Sequence, residues 1–250
     1  MFTLDEVDDA TPIALIKGGA DKGEIISLVD SDKYKRGTKE LKLKKSKLSP
    51  MPDPWHRQVL YIAGPSGSGK STYASEYIKN YKKIFPKNNV YIFSRLEDDP
   101  VLDPLNPIRI NIDDALIEEP IDIINEFSTN DLILFDDTDT IQDKKLKEAV
   151  SKVKNDILET GRHNNLYIVV TSHLINGNDR KDTRTILNEA NFLTVFPKSG
   201  AAHGIRYVLK NYIGLSNDDI EYILEIPSRW VTIGKNYPQF VMYENGCYII

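Results

Sequence analysis

An eight-residue segment of the chain combines three glycines, three serines, a proline and a lysine: Gly64-Pro65-Ser66-Gly67-Ser68-Gly69-Lys70-Ser71. Closely spaced glycines let a backbone loop wrap an anion with its N–H groups. In this spacing Lys70 reaches the β and γ phosphates of a nucleoside triphosphate and Ser71 holds Mg²⁺, with Thr72 completing the binding set. A flexible glycine-serine turn is the alternative interpretation of the same residues.

Two elements must position such a loop, a strand before it and a helix after it. The apolar run Val59-Leu60-Tyr61-Ile62-Ala63 predicts the strand, and residues 71–81 favour a helix. A helix that begins at the loop directs the positive end of its dipole at the phosphates. These flanks favour phosphate binding and predict ATP and Mg²⁺ as cofactors.

A second apolar run, Leu132-Ile133-Leu134-Phe135, ends in an acid pair, Asp136 and Asp137. Acids at the carboxyl end of a buried strand lie at the edge where open α/β sheets bind ligands. We expect Asp136 to orient Mg²⁺ through water and Asp137 to polarise the water that attacks the γ-phosphate. Turn formation by paired acids is the competing interpretation.

A third apolar run, residues 166–170, is predicted to lie between the loop strand and the strand of the acid pair, and it ends in Thr171-Ser172-His173. A polar group at that point senses the γ-phosphate by hydrogen bonding, and His173 and Ser172 are the candidates. Bonds from Thr171 and Ser172 to nearby backbone explain the same pattern equally well.

One arginine, Arg162, follows the best predicted helix. Arginine stabilises the charged transition state of phosphoryl transfer, and in ring-shaped motors a neighbouring subunit supplies it. Arg162 is the first candidate for this role, ahead of Arg95, Arg180 and Arg184. A solvated arginine that interacts with the helix dipole is the alternative.

Composition limits the function classes. The chain has 250 residues, 40% hydrophobic and 28% charged, with a net charge of −5. This charge argues against a protein that coats nucleic acid indiscriminately, because such binding comes from Lys and Arg that neutralise phosphates. Cys247 is the single cysteine, so neither an intrachain disulfide nor a cysteine cluster for zinc can form. No apolar stretch approaches about 18 residues, which predicts a soluble intracellular protein with no membrane span.

The chain is predicted to consist of an extension over 1–54 and an ATPase domain over 55–250. In the extension, residues 13–16 and 24–29 predict a hairpin, and the cationic segment 33–47 is interpreted as a solvated tether or as a contact for nucleic acid or an acidic partner. From residue 58 strands and helices alternate, which predicts an α/β fold with a mostly parallel central sheet flanked by helices. Further strands are expected at 90–93 and 192–196, a helix over 143–160 ended by Gly161, an irregular excursion over 98–120, a helical stretch after 204, and short strands at 230–233, 239–242 and 248–250.

Four segments together resemble the genome-packaging ATPases of poxviruses and other large DNA viruses. They are residues 64–73, Tyr-Ile-Phe-Ser at 91–94, Leu-Ile-Leu-Phe-Asp-Asp at 132–137 and Gly-Arg-His-Asn-Asn-Leu-Tyr-Ile-Val-Val-Thr-Ser-His at 161–173. The resemblance covers about residues 57–200. It implies an FtsK/HerA-related P-loop ATPase of the additional-strand class, with the glycine segment as Walker A and the acid pair as Walker B.

The resemblance also implies a role for each matching residue. An oligomeric ring would hydrolyse ATP to drive double-stranded DNA into a preformed capsid, at the virus assembly site in the cytoplasm of an infected cell or in association with the virion. Lys70 and Ser71 would bind phosphate and Mg²⁺, Asp136 the metal and Asp137 the water, with Arg162 acting in trans. Capsid proteins are implied partners. The chain departs from the family at His173, where the family often has glutamine, and residues 1–50 lie outside the resemblance.

Two other functions are compatible with these residues. A P-loop kinase would use residues 176–184 as a lid whose basic side chains clamp a transferring phosphoryl group. A nucleotide-dependent switch would bind without turnover and recruit partners. A GTPase is disfavoured, because no Asn-Lys-x-Asp tetrad follows the Asp136 strand. Candidate DNA contacts are the basic residues of 176–184, Lys198 and Lys210.

Overall fold

A computed structural model describes residues 1–30, 34–118, 121, 123–175 and 180–250. Its strands are β1 Phe2–Thr3, β2 Thr11–Ile16, β3 Ile25–Leu28, β4 Glu40–Lys42, β5 Leu48–Pro50, β6 Val59–Ala63, β7 Val90–Ser94, β8 Ile108–Asn111, β9 Leu132–Phe135, β10 Tyr167–Ser172, β11 Phe192–Val195, β12 Val231–Gly234, β13 Phe240–Tyr243 and β14 Gly246–Ile249. Its α-helices are α1 Lys70–Ile84, α2 Ala115–Glu118, α3 Ile123–Glu126, α4 Lys144–Thr160, α5 Arg180–Glu189, α6 Ala202–Val208 and α7 Asn217–Glu225. Short 3₁₀ turns span Asp103–Leu105 and Thr138–Thr140, and Leu209–Ile213 is π-helical.

Within these described residues, ten strands form one sheet in the order β4-β14-β13-β12-β11-β6-β10-β9-β7-β8. The run from β11 to β8 is parallel, and β12, β13, β14 and β4 continue it antiparallel. The predicted α/β fold with a mostly parallel central sheet flanked by helices is confirmed. So is the position of β10, which pairs with β6 on one side and with β9 on the other.

The central strands are apolar throughout because helices cover both faces of the sheet. Successive residues alternate between the two faces, so Tyr61 packs in the cluster that contains α4, while Leu60 and Ile62 pack in the cluster that contains α1. Helix α4 begins at Asp143, whose carboxylate accepts the Leu146 N–H at 2.8 Å. The predicted helix over 143–160 and its stop at 161 are confirmed.

The structure differs from the sequence analysis at the sheet edges. Residues 98–120 were expected to be irregular, yet β8 lies there and pairs in parallel with β7. The cationic segment, interpreted as a solvated tether or as a contact for nucleic acid or an acidic partner, contributes β4 to the large sheet beside β14, which corrects the first of these interpretations. An edge strand has a partner on one side alone and keeps polar residues, so its composition resembles that of a loop.

The amino-terminal strands form a second sheet of four in the order β1-β3-β2-β5, counted over the described residues. The predicted pairing within residues 13–29 is present as antiparallel β2 and β3. Phe2, Ile13 and Ile26 pack with Phe240 and Met242 of β13, so the small sheet shares a hydrophobic cluster with the large one. The division at residue 54 stays a prediction. No helix in the described ranges is long and apolar enough to cross a membrane.

Candidate functional site

The loop between β6 and α1 has the backbone shape that an anion-binding site needs. Gly67 and Gly69 adopt positive φ values of 75° and 113°, which other residues avoid. Gly64 is required for space, since a Cβ there would lie 2.6 Å from the Phe196 ring. The Ser68 hydroxyl is buried and has no hydrogen-bond partner among the described residues. The loop therefore presents polar groups that the protein itself leaves unsatisfied.

Lys70 is the first residue of α1, and its side chain is buried against the loop that precedes it. Its Nζ donates to the Gly64 carbonyl at 3.1 Å and lies 3.5 Å from Asp137 Oδ1. The Gly64 N–H in turn donates to the Ser172 carbonyl at 3.0 Å. The phosphate-loop lysine and the acid pair thus meet at the carboxyl edge of the parallel strands β6 and β9, which lie on either side of β10.

The acid pair has two different environments. Asp136 directly follows β9, is 7% exposed, and donates its N–H to the Phe93 carbonyl at 2.9 Å. Asp137 is half-buried and adopts a left-handed backbone with φ 46°, which turns its carboxylate toward Lys70. The buried carboxylate suits metal binding, and the more accessible one can contact water.

Thr171 connects both members of the acid pair. Its Oγ1 accepts the Asp137 N–H at 2.8 Å, and Asp136 Oδ1 at 2.9 Å and Asp137 Oδ1 at 3.1 Å are both acceptors within reach of its hydroxyl. From sequence no catalytic role was predicted for Thr171, and the two residues after it were favoured. The predicted adjacency of β10 and β9 was the signal that could have identified this contact.

Burial raises the pKa of Asp136, and the neighbouring carboxylates of Asp137 and Asp99 add to the effect. The hydrogen bond from Thr171 and the charge of Lys70 oppose it. A buried carboxylate that is costly to ionise favours a bound cation. The donor set fits Mg²⁺, because Asp136 supplies a buried carboxylate oxygen and Ser71 supplies a hydroxyl oxygen.

His173 lies between two carboxylates. Its Nε2 is 3.5 Å from Asp137 Oδ2, and its Nδ1 is 3.6 Å from Asp139 Oδ1. Asp139 Oδ2 accepts both the His173 N–H and the Ser172 hydroxyl at 2.9 Å. Asp139 was missed from sequence although it lies two residues beyond the acid pair. It anchors the start of the predicted sensor loop and holds the imidazole beside Asp137.

Arg162 is not brought to the site of its own subunit. It is exposed in the turn between α4 and β10, where the Leu166 N–H donates to the Gly161 carbonyl. This turn lies at the amino end of β10, whereas Thr171 lies at its carboxyl end. Six residues of strand separate the two edges by roughly 20 Å.

The other candidate arginines occupy different positions. Arg95 is exposed just beyond β7, at the same edge as the acid pair. Arg180 and Arg184 were expected in a loop, but both belong to helix α5, where Arg184 is exposed. This is a correction: the buried residues Thr183, Ile186 and Leu187 lie on one face of α5, and the loop assignment ignored this helical spacing. The preceding part of the predicted kinase lid, residues 176–179, lies outside the described residues.

Comparison with known proteins identifies one relative by sequence. The chain is 55% identical over 238 residues to "Uncharacterized protein V3" of Sputnik virophage, and the match covers 95% of each chain. No profile of a known protein family matches the sequence.

Solved structures resemble the chain at low sequence identity. The DNA-packaging ATPase B204 of Sulfolobus turreted icosahedral virus has a TM-score of 0.53 and 13% identity, over 75% of this chain and 97% of B204. The pCW3 conjugation coupling protein TcpA, solved as a monomer with ATPγS, has a TM-score of 0.52 and 13% identity, over 93% of this chain and 77% of TcpA. These matches show that the chain has the P-loop NTPase fold.

Proposed function

The chain belongs to the family of protein V3 of Sputnik virophage, and we propose that it is a viral ATPase that packages double-stranded DNA into a capsid. The observation that carries the proposal is the meeting of Lys70 with the acid pair at 3.5 Å on one sheet edge. The fold shared with B204, which is named a DNA-packaging ATPase, and with TcpA, which is named a conjugation coupling protein, supports it. The specific resemblance to poxvirus enzymes stays a prediction.

The residues of the site have different roles in hydrolysis. The loop amides and Lys70 bind the phosphates, and Ser71 and Asp136 are the residues that would hold Mg²⁺, which neutralises developing phosphate charge when bound. Asp137 accepts a proton from, or orients, the attacking water, because it is the accessible carboxylate beside Lys70. Thr171, on the neighbouring strand, holds that carboxylate through its hydroxyl, which lies 3.1 Å from Asp137 Oδ1, and also accepts the Asp137 N–H.

His173 is the proposed sensor of the γ-phosphate. Its Nε2 faces Asp137, so a phosphate that approaches Lys70 also approaches the imidazole. Its backbone N–H is tied to Asp139, which couples the imidazole to the start of the segment after β10. The presence or loss of the γ-phosphate would move this segment through hydrogen bonds to His173.

We propose a homo-oligomeric ring because Arg162 is exposed and lies at the sheet edge away from its own nucleotide site. An arginine in this position can stabilise a transition state only in a neighbouring subunit. The test mixes Arg162→Ala subunits with wild type at varied ratios and follows ATPase. A trans role predicts a non-linear decline, and a linear decline would reject it.

Double-stranded DNA is the proposed substrate of the motor, and capsid proteins are proposed partners at the assembly site. Two of the DNA-contact candidates already have protein partners, since Lys198 Nζ donates to the Leu224 carbonyl at 3.1 Å and Lys210 Nζ to Asn217 Oδ1 at 3.1 Å. Arg184 is exposed on α5 and remains the described candidate without such a bond.

The decisive experiment measures phosphate release with and without duplex DNA. We expect DNA-stimulated turnover in wild type, loss of activity in Lys70→Ala and Asp136→Asn, and retained activity in the control Lys79→Ala, whose lysine is exposed on α1. Turnover indifferent to DNA of every length would contradict the translocase. A phosphorylated small acceptor in place of free phosphate would identify a kinase, and nucleotide binding without turnover would identify a switch.

A further inference from the structure

The turn between α7 and β12 is held in one conformation by Glu244. Glu244 Oε2 accepts the Arg229 N–H at 2.9 Å, and the Glu244 N–H donates to the Ser228 hydroxyl at 3.1 Å. The Ser228 hydroxyl itself donates to the Trp230 carbonyl at 2.6 Å. Three hydrogen bonds around one turn restrain its backbone and therefore the position of the Arg229 Cα atom.

The residues beside Arg229 pack this turn against the start of α1. The rings of Trp230 and Tyr73 meet edge to face, with centroids 4.9 Å apart and an interplanar angle of 72°. The Tyr73 hydroxyl lies 2.6 Å from Thr232 Oγ1 on β12. Since Tyr73 is in the first turn of α1, these contacts bring Arg229 to the phosphate-binding loop.

The guanidinium of Arg229 reaches that loop at Gly69. A Cβ added to Gly69 would lie 3.5 Å from Arg229 Nη2 and 3.6 Å from the Phe196 ring. The two side chains therefore lie on the same side of Gly69. Gly69 also has φ 113°, so its backbone is in the conformation typical of a phosphate cradle.

Arg229 is exposed and, like Arg184, has no partner for its charge among the described residues. Within the described residues, no carboxylate lies within 4.0 Å of its guanidinium, and the side chain makes no hydrogen bond. By contrast, Arg109 pairs with Asp103 and Arg206 pairs with Glu221. An unpaired guanidinium prefers bidentate oxyanions, of which phosphate is one.

We propose that Arg229 is a ligand of the α and β phosphates of the nucleotide bound in its own subunit, an inference that rests on the proposed function. The amide of Gly69 belongs to the part of the loop that cradles those phosphates. Lys70, Asp137 and His173 face the γ-phosphate instead. Arg229 thus contacts the phosphates that hydrolysis leaves in place, and it stabilises substrate and transition state alike.

Such a contact predicts a specific kinetic effect. Loss of a charged hydrogen bond weakens binding by about tenfold or more. Because the contact is the same before and during the reaction, Arg229→Ala raises the KM for ATP while kcat stays close to that of wild type. Arg229→Lys keeps the charge but loses the planar guanidinium, so its affinity for ATP lies between that of wild type and that of Arg229→Ala.

The experiment measures the Kd of ADP and of inorganic tripolyphosphate by calorimetry for wild type, Arg229→Ala, Arg229→Lys and the control Arg206→Ala. Arg206 is exposed and paired with Glu221 on another surface, so its replacement leaves both Kd values unchanged. Thermal unfolding of the nucleotide-free variants checks that each is folded. We expect Arg229→Ala to weaken both ligands by about tenfold.

The possible outcomes distinguish failure of the proposed role of Arg229 from failure of the proposed ATPase function. Unchanged Kd values for Arg229→Ala, with wild type binding both ligands, would overturn the role of Arg229 and leave the ATPase proposal intact. Weaker ADP binding with unchanged tripolyphosphate binding would assign Arg229 to the base or ribose and reject the phosphate contact. Wild type that binds neither ligand would overturn the proposed function and this inference together.

Discussion

The Thr171 hydroxyl is the protein group that bonds to both members of the acid pair, and Thr171→Val removes it with little change in side-chain shape. The Asp137 N–H loses its acceptor at 2.8 Å, and Asp136 loses a donor at 2.9 Å. A neutral hydrogen bond contributes about 1 kcal/mol and one to a carboxylate about 1.5–3 kcal/mol. The free energy of unfolding should therefore fall by about 3 kcal/mol.

The same substitution releases the carboxylate that orients water. Asp137 keeps its left-handed backbone with one fewer restraint, and misorientation that costs about 1.4 kcal/mol in the transition state lowers kcat tenfold. We expect kcat to fall by at least about tenfold while the Kd for ADP is unchanged, because the hydroxyl faces the acid pair and not the loop amides.

Denaturant unfolding and steady-state ATPase assays test this prediction, with Thr194→Val as the matched control. Thr194 is also fully buried, and its hydroxyl lies 2.9 Å from the Thr232 hydroxyl, away from the acid pair. We expect the control to lose about 1 kcal/mol of stability and no activity. Wild-type kcat in Thr171→Val would refute the reasoning, because the acid pair would then need no orientation from β10.

Three further predictions concern carboxylates. Burial raises the pKa of Asp136, so the ionised carboxylate destabilises the folded protein at pH values above that pKa. In EDTA at pH 8, Asp136→Asn should therefore raise the melting temperature. This increase in melting temperature should disappear as the pH falls through the pKa of Asp136. Burial alone would also raise the pKa of Asp182, but Lys154 at 3.3 Å and nearby donors hold it below its ordinary value. Asp182→Asn should therefore lower the free energy of unfolding by about 3 kcal/mol at pH 7, because it leaves Lys154 buried without its counter-ion. This loss of stability should become smaller in acid, and denaturation curves from pH 7 to pH 3 would measure it. Asp139→Ala removes the acceptor that holds the His173 N–H, so kcat should fall with little change in nucleotide Kd in stopped-flow assays.

The phosphate loop and its flanks could be predicted because the pattern is local. An apolar strand, closely spaced glycines and a helix follow one another within residues 59–84. The acid pair could be predicted for the same reason, since a buried strand leads directly into it. Alternating strands and helices also predicted the parallel sheet, because only a crossover connection joins parallel neighbours.

The edge strands were not predicted, because the amino-acid composition of a segment indicates how buried it is and not whether its backbone pairs with a neighbouring strand. Ile108–Asn111 carries arginine and asparagine, and Glu40–Lys42 is exposed at both ends, yet each is a strand because a neighbour offers backbone partners. The exposed polar side chains that make a sheet edge soluble are the residues that make a segment resemble a loop.

Three features of the site could be predicted from the sequence alone: the glycine spacing, the apolar run before the acid pair and the lysine that follows the loop. Each of them depends on residues a few positions apart. The partners of those groups could not be predicted in this way. Thr171 reaches the acid pair, and Asp139 the sensor histidine, only because β10 lies beside β9 in one register. Arg229 reaches Gly69 only because Trp230 packs on Tyr73. Contacts between residues far apart in the chain depend on which strands pair and how side chains pack, and no local spacing records either.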